Sequence, residues 1–243
     1  MRKLSINNNI ENDEKTDINY CDSFFQKKGN QETAGFRENF LVPLERCKNI
    51  QILDAGCGIG ILTSLVAKSQ QKNSFIGIDF AKRLVRQASK KLKTYANVEF
   101  IAVDLEYLPF KEGAFDVIIF SEVLEHILKE NRKSVMQGLL HIISSRGNLF
   151  LTTPNGMYLP IFFMKIMLYI SKGRLRSSIT THIYNHPLFP QSLTKLLKNA
   201  GWKVDLFKWA EYRTPFNKYN LPKNLPRIPL FAIHQLVIAS PSK

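Results

Sequence analysis

The residues best placed for chemistry begin with Asp54-Ala55-Gly56-Cys57-Gly58-Ile59-Gly60, in which an acid stands two positions before three alternating glycines. Glycine has no Cβ, so a strand running into such a turn lets backbone N–H groups come close to a small molecule. The spacing is Gly-x-Gly-x-Gly followed directly by Ile61 and Leu62, which departs from the pyrophosphate fingerprint and lacks the Gly-Lys-Ser/Thr of a phosphate loop. Asp79 stands about 20 residues further on, where a carboxylate can accept hydrogen bonds from a ribose diol. Asp104 and Ser121-Glu122 close later apolar runs in the same way. Cys57, held between two glycines, reads as a small side chain that fits a tight space rather than as a nucleophile.

A second group is Glu122-Val123-Leu124-Glu125-His126. On a helix these acids and the histidine are i, i+3 and i+4, so two carboxylates and an imidazole would share one face. Such a face can bind a divalent cation. It can equally shape a pocket, with His126 as a general base or as a hydrogen-bonded structural histidine.

The elements that would position these groups follow from period and punctuation. Apolar, β-branched runs at Ile50–Ala55, Ser74–Asp79, Val98–Asp104, Phe115–Ser121 and Asn148–Thr153 predict strands. Helical patterns fall between them: Gly60 to about Gln70, a basic amphipathic stretch Ala81–Thr94, and Asn131–Ser144. Strands alternating with helices, and apolar on both faces, predict an α/β fold whose parallel sheet is covered on both sides. Ligands of such sheets sit outside the carboxyl ends of the strands, so Asp54, Asp79, Asp104 and Ser121 would line one crevice. After Gly156 the rhythm breaks for about thirty residues. It resumes with a helix over Pro190–Asn199, a strand near Trp202–Trp209, a link containing Pro215, Pro222, Pro226 and Pro229, and a last strand, Phe231–Ala239.

Composition bounds the rest. The 243 residues carry 34 Lys and Arg against 20 Asp and Glu, a formal +14, with 44% hydrophobic residues, which excludes disordered, collagenous and disulfide-scaffold classes. Cys21, Cys47 and Cys57 have no partner spacing, so neither disulfides nor a zinc site is expected, and a reducing, cytosolic setting is the default. The start, MRKLSINNNIENDEKTD, has no apolar core segment or small-residue cleavage site and does not read as a secretory signal. From Gly156 onward there are 13 Lys and Arg against only Asp205 and Glu211, so most of the net charge belongs to the C-terminal third. A basic face attracts nucleic acid, anionic headgroups or an anionic substrate.

Taken in order, LDAGCGIG, GIDF, VDLEYLPF, FDVIIFSEVLEHI, GNLFLTTPN and the terminal apolar strand resemble the class I S-adenosylmethionine-dependent methyltransferases over roughly residues 35 to 240. The resemblance implies a Rossmann-like sheet of seven strands, mostly parallel, the last antiparallel. It implies S-adenosylmethionine as cofactor, with Asp54, Gly56, Cys57 and Gly58 around its methionine part, Asp79 with Phe80 at the ribose, Asp104 with Leu105 at the adenine, and Ser121 nearby. Within the class the sequence is most similar to the ubiquinone-biosynthesis O-methyltransferases, which share the E-x-x-E-H run, an apolar insertion after strand five, and a Thr-His segment, here Thr181-His182. Arg37 matches an arginine that such enzymes place over the cofactor.

The domain division expected is a flexible tail and start of a cap over 1–34, and a methyltransferase domain over 35–243 with the insertion at 156–189. The expected reaction is O-methylation of a hydrophobic small molecule or lipid-like phenol or quinol, with His126 and Glu125 catalytic. The alternative is an RNA 2′-O-methyltransferase that grips RNA with the basic third and holds Mg2+ on Glu122, Glu125, His126 and His182, as a similar run does in RNA 3′-end methyltransferases. Nucleic acid is the weaker partner expectation, because the aromatics of that third are spaced as core positions. The apolar run Met157–Ile170, with Pro160 and Lys165 inside it, is shorter than the about 20 residues a bilayer span needs. With its basic flank, 157–176 suits a peripheral contact on the inner membrane face of a cytoplasmic enzyme, or a lid over the pocket.

Overall fold

The computed structural model describes residues 48–69, 71–158, 188–212 and 232–242. Arg37, His182 and nearly all of the insertion lie outside these residues. The strands are β1 (Gln51–Ala55), β2 (Ser74–Asp79), β3 (Val98–Ala102), β4 (Phe115–Ser121), β5 (Ile143–Pro154), β6 (Trp202–Tyr212) and β7 (Ala232–Pro241). The helices are α1 (Ile61–Ser69), α2 (Lys82–Lys91), α3 (Arg132–Ile142) and α4 (Pro190–Asn199), with a single 3₁₀ turn at Leu124–His126. The strands form one seven-stranded sheet in the order β3-β2-β1-β4-β5-β7-β6. β1, β2 and β3 pair in parallel, and β7 runs antiparallel to both β5 and β6, as expected of the last strand. The order reverses after β1, which is the place where open α/β sheets bind ligands. Among the described residues no helix is long and apolar enough to cross a membrane.

The chain divides into two compact units. The first, Met1–Ile118 with His141–Gly147, has its core where β1 and β2 meet α1 and α2. Ile52, Leu53, Phe75, Ile76 and Ile78 are buried with Leu62, Val66, Leu84, Val85 and Ala88. The second, Ile119–Leu140 with Asn148–Lys243, buries Leu149, Phe150, Leu151, Leu193, Leu197, Trp202 and Val237. Trp202 is fully enclosed because its indole N–H has a partner, the carbonyl of Met136 at 2.9 Å. The carboxamide of Gln235, buried in β7, donates to the carbonyls of Pro154 and Leu188. It thereby ties the end of β5 to Leu188, two residues before α4.

Among the boundaries that differ from the sequence expectation, two have a visible cause. β5 begins at Ile143, directly after α3, instead of at Asn148. The Ser144 hydroxyl bonds Asp116, and Gly147 leaves so little room beside the Asp116 carbonyl and Ile143 that a Cβ there would lie 2.8 and 2.5 Å from them, so the extended backbone starts early. β3 stops at Ala102 instead of Asp104, because the Asp104 carboxylate takes the N–H of Glu106 and its carbonyl takes that of Tyr107, closing a turn.

Gly77, in the middle of β2, is required by packing. A Cβ there would sit 2.5 Å from the Phe100 ring and 3.1 Å from the Cys57 sulfur. Gly77→Ala is therefore expected to cost about 1–3 kcal/mol of stability by overpacking, read as a lowered denaturation midpoint, with part of the loss recovered in Gly77→Ala/Phe100→Leu.

Candidate active site

In the first unit the site is built at the ends of β1 and β2. The N–H groups of Gly56 and Cys57 both donate to the Ile78 carbonyl, at 2.8 and 2.9 Å, and carry the chain out of β1 into the turn. Gly56, Gly58 and Gly60 have φ of 79°, 53° and 71°, the left-handed region that glycine enters without steric penalty. The Asp79 carboxylate fixes this turn. One oxygen accepts the Gly58 N–H at 3.0 Å and the other the Ala81 N–H at 2.9 Å, so the glycine loop and the start of α2 hang on the same side chain. Burial pushes the Asp79 carboxyl above its usual range, and the Ala81 and Gly58 N–H bonds pull it back. Asp54 is also buried and accepts a hydrogen bond from the Thr63 hydroxyl of α1. Burial, with the Asp54 and Asp79 carboxylates adding to it, pushes the Cys57 thiol far above its usual range, which removes it as a nucleophile. Asp104 is exposed, Leu105 half-buried, and the Phe80 ring remains 52% exposed directly after Asp79.

In the second unit the E-x-x-E-H run does not form the single helical face that its spacing suggested. Glu122 lies outside the 3₁₀ turn, with φ 59°, and only Leu124–His126 are helical. A glutamate in the left-handed region is uncommon, and here it is held by its N–H, which donates to the Thr152 carbonyl at 2.9 Å. The consequence is that each acid meets a different residue of β5. The Thr152 hydroxyl donates to Glu122 Oε1 at 2.9 Å and also contacts the Ser121 hydroxyl at 2.8 Å, while the Thr153 hydroxyl donates to Glu125 Oε2 at 3.0 Å. Glu122 Oε2 faces His234 Nε2 of β7 at 3.2 Å. Glu125 is buried, and the Arg132 guanidinium packs behind its backbone, donating to the carbonyls of Ile127 and Glu125. His126 is exposed.

Burial, and then the charge of Glu122, raise the Glu125 carboxyl well above the ordinary glutamate range, so its protonated form is favoured. Glu122 is engaged on both oxygens, by the Thr152 hydroxyl and by His234, and His182, the fourth residue of the expected cation set, lies outside the described residues.

The structure brings Asp54, Gly56, Cys57, Gly58 and Asp79 of the expected set together at the ends of β1 and β2, and it adds Thr63, Thr152, Thr153 and His234, which sequence reasoning did not find. The signal for three of these was present. Adjacent threonines end the most apolar strand, and a His-Gln pair interrupts the terminal one. Buried polar residues of that kind require partners.

Residues 52–147 match the family described as a methyltransferase domain. The ubiquinone biosynthesis O-methyltransferase of Bordetella avium is 29% identical over 177 residues, covering 72% of this chain and 70% of that protein. The human mitochondrial protein of the same name is 27% identical over 180 residues, covering 70% of this chain and 46% of that one. A SAM-dependent methyltransferase from Methanosarcina mazei superposes with a TM-score of 0.64 at 18% identity, covering 83% of this chain and 97% of its own. The magnesium protoporphyrin IX methyltransferase of Synechocystis with bound SAH gives 0.64 at 17% identity, covering 91% and 93%. The fold is thus the Rossmann-like methyltransferase fold. The chain is a class I S-adenosylmethionine-dependent methyltransferase, distantly related to the ubiquinone-biosynthesis O-methyltransferases.

The raised Glu125 carboxyl has a consequence for stability. A group that holds its proton more tightly when folded stabilises the protein fully below its unfolded pKa, and that contribution is lost as pH rises through the folded pKa. Glu125→Gln, which keeps the shape and cannot ionise, is expected to melt increasingly above the parent as the pH is taken from about 5 to 8, with the smallest gap at the acid end. Thermal melts of both proteins across that range check it, and a gap that shrinks with pH contradicts the assignment.

Proposed function

We propose that the enzyme methylates a hydroxyl oxygen of a hydrophobic small molecule, a lipid-like phenol or quinol. The reading is carried by the buried, proton-holding Glu125 and its Thr153 partner, followed directly by an exposed imidazole, in a chain whose relatives are O-methyltransferases. The glycine-loop backbone at Gly56, Cys57 and Gly58, with Asp54, would hold the methionine part of S-adenosylmethionine. Asp79 would take the ribose diol, Asp104 and Leu105 the adenine, with Phe80 and Ser121 completing the cofactor set. Arg37, outside the described residues, would close over it. When bound, the cofactor supplies an electrophilic methyl group, and the transfer is an in-line displacement governed by alignment of the attacking oxygen.

The chain's own residues then have two tasks. His126 accepts the proton of the acceptor hydroxyl, since an imidazole titrates near the working pH. Glu125 orients the acceptor. Thr153 occupies one of its oxygens as a donor, and the neutral carboxyl offers its proton as a hydrogen bond from the other.

His126→Ala is expected to lower kcat by about 10²–10⁴-fold while the affinity for S-adenosylmethionine, read by calorimetry, stays unchanged. Asp79→Asn should do the reverse, weakening cofactor affinity by about tenfold or more, because its carboxylate both holds the loop and meets the ribose. The acceptor class is decided with methyl-labelled S-adenosylmethionine and a cell extract. Label in the organic phase supports the phenol or quinol reading, and label in RNA replaces it with the 2′-O reading.

A further inference from the structure

Helix α2 buries Leu84, Val85 and Ala88 and turns Lys82, Arg83, Arg86 and Lys90 to solvent, with Lys91 and Lys93 exposed at its end. Lys82, Arg86 and Lys90 are i, i+4 and i+8, so they stand in one row about 6 Å apart along the helix. Among the described residues Lys82, Arg86, Lys90, Lys91 and Lys93 make no ion pair. Between residues 61 and 98 the only acid is Asp79, which is buried and bonded to the glycine loop.

Like charges at i, i+4 repel, and Lys82 and Arg83 stand in a first turn where the helix dipole disfavours cations, with no acid in that turn and no side-chain cap at Ala81. Lys90 and Lys91 stand in the last turn, which the dipole favours, and the Asp79 carboxylate meets the Ala81 N–H. The steps from β1 to β2 to β3 run in one direction across the sheet, so right-handed crossovers put α1 and α2 on the same face, and Lys68 in the last turn of α1 extends the positive surface.

We propose that this face of α2 docks the protein onto an anionic lipid surface. A straight row of cations on a helix already pinned to its sheet matches a plane of headgroup charges, and clusters of Lys and Arg on an amphipathic helix suit such a surface. A nucleic acid strand is the poorer fit. The outward positions between the cations are Gln87 and Ser89, and they offer no ring on which a base could stack. The apolar side of α2 is spent on the protein's own core, so the contact is electrostatic, reversible and sensitive to salt. It does not depend on which acceptor is methylated, and it differs from the 157–176 segment that sequence alone suggested.

The test is co-sedimentation of the full-length protein with phosphatidylcholine vesicles, with and without phosphatidylserine. The parent should bind only the anionic vesicles and release as salt is raised. Arg86→Glu/Lys90→Glu should weaken binding about thirty-fold or more. Lys195→Glu/Lys198→Glu, the same charge change on exposed positions of α4, should cost less than about threefold if the contact is confined to α2. Circular dichroism and S-adenosylmethionine affinity establish that the variants are folded, and Lys82→Gln/Arg86→Gln/Lys90→Gln replaces the first pair if it is not. The proposal is overturned if the parent ignores anionic vesicles, if the α2 variant binds like the parent, or if both pairs lose binding equally. It is also overturned if the α2 change abolishes binding to polyuridine RNA and spares the vesicles.

Discussion

The glycine turn depends on the Asp79 carboxylate. A strand that ends in three left-handed glycines has many conformations open to it, and ordering such a segment is costly in backbone entropy. Asp79 offsets that cost by accepting the Gly58 N–H with one oxygen and the Ala81 N–H with the other, joining the turn after β1 to the start of α2. The register of β1 on β2, with Asp54 opposite Gly77 and Ala55 opposite Ile78, brings the two strand ends level so that this can happen. Gly77 belongs to the same construction. Its missing Cβ leaves room for the Phe100 ring and the Cys57 sulfur beneath the turn. The site therefore rests on backbone geometry enforced from below and one carboxylate bridging from the side.

The second unit solves a different problem, which is how to hold two glutamates near one another. The left-handed conformation of Glu122 separates it from the helical turn that carries Glu125, so each is met by its own threonine of β5. Glu122 gains His234 as a further partner, while Glu125 is buried and favours its proton. The two carboxyl groups thus sit in unlike environments, one half-buried beside an imidazole and one enclosed. The strain of a non-glycine residue at φ 59° is repaid by the hydrogen bond from its N–H to Thr152.

How much of this was legible in the sequence follows from range. The strands β1, β2 and β4, the glycine turn and Asp79 are specified locally, by alternation of apolar runs with turn residues, and the sequence reading located them closely. The ends of β3 and β5 were misjudged because they are set by Asp104 capping its own turn and by Gly147 fitting against Asp116, contacts that periodicity does not encode. The cluster around Glu122 was misread for a related reason. The i, i+3, i+4 argument assumes a helix, and it fails when the first residue leaves the helical region to satisfy a strand that comes later in the chain. His234 could not be assigned to Glu122 from spacing at all, since the pairing exists only after β7 has entered the sheet.

Methyl transfer from a sulfonium asks little of a protein in covalent terms. The rate comes from alignment of two reactants and from removal of one proton. The ends of β1 and β2 suit the first of these, because the glycine turn between them is held by the Ile78 carbonyl and the Asp79 carboxylate. Selection of the acceptor needs a surface shaped to one molecule, which a shared fold does not by itself supply. At the end of β5 the chain holds Pro154 and Leu188 together through Gln235, with Asn155 bridged to Leu188. The threonines that meet Glu122 and Glu125 lie on β5 directly before this tie, so the tie also holds the strand end that presents them.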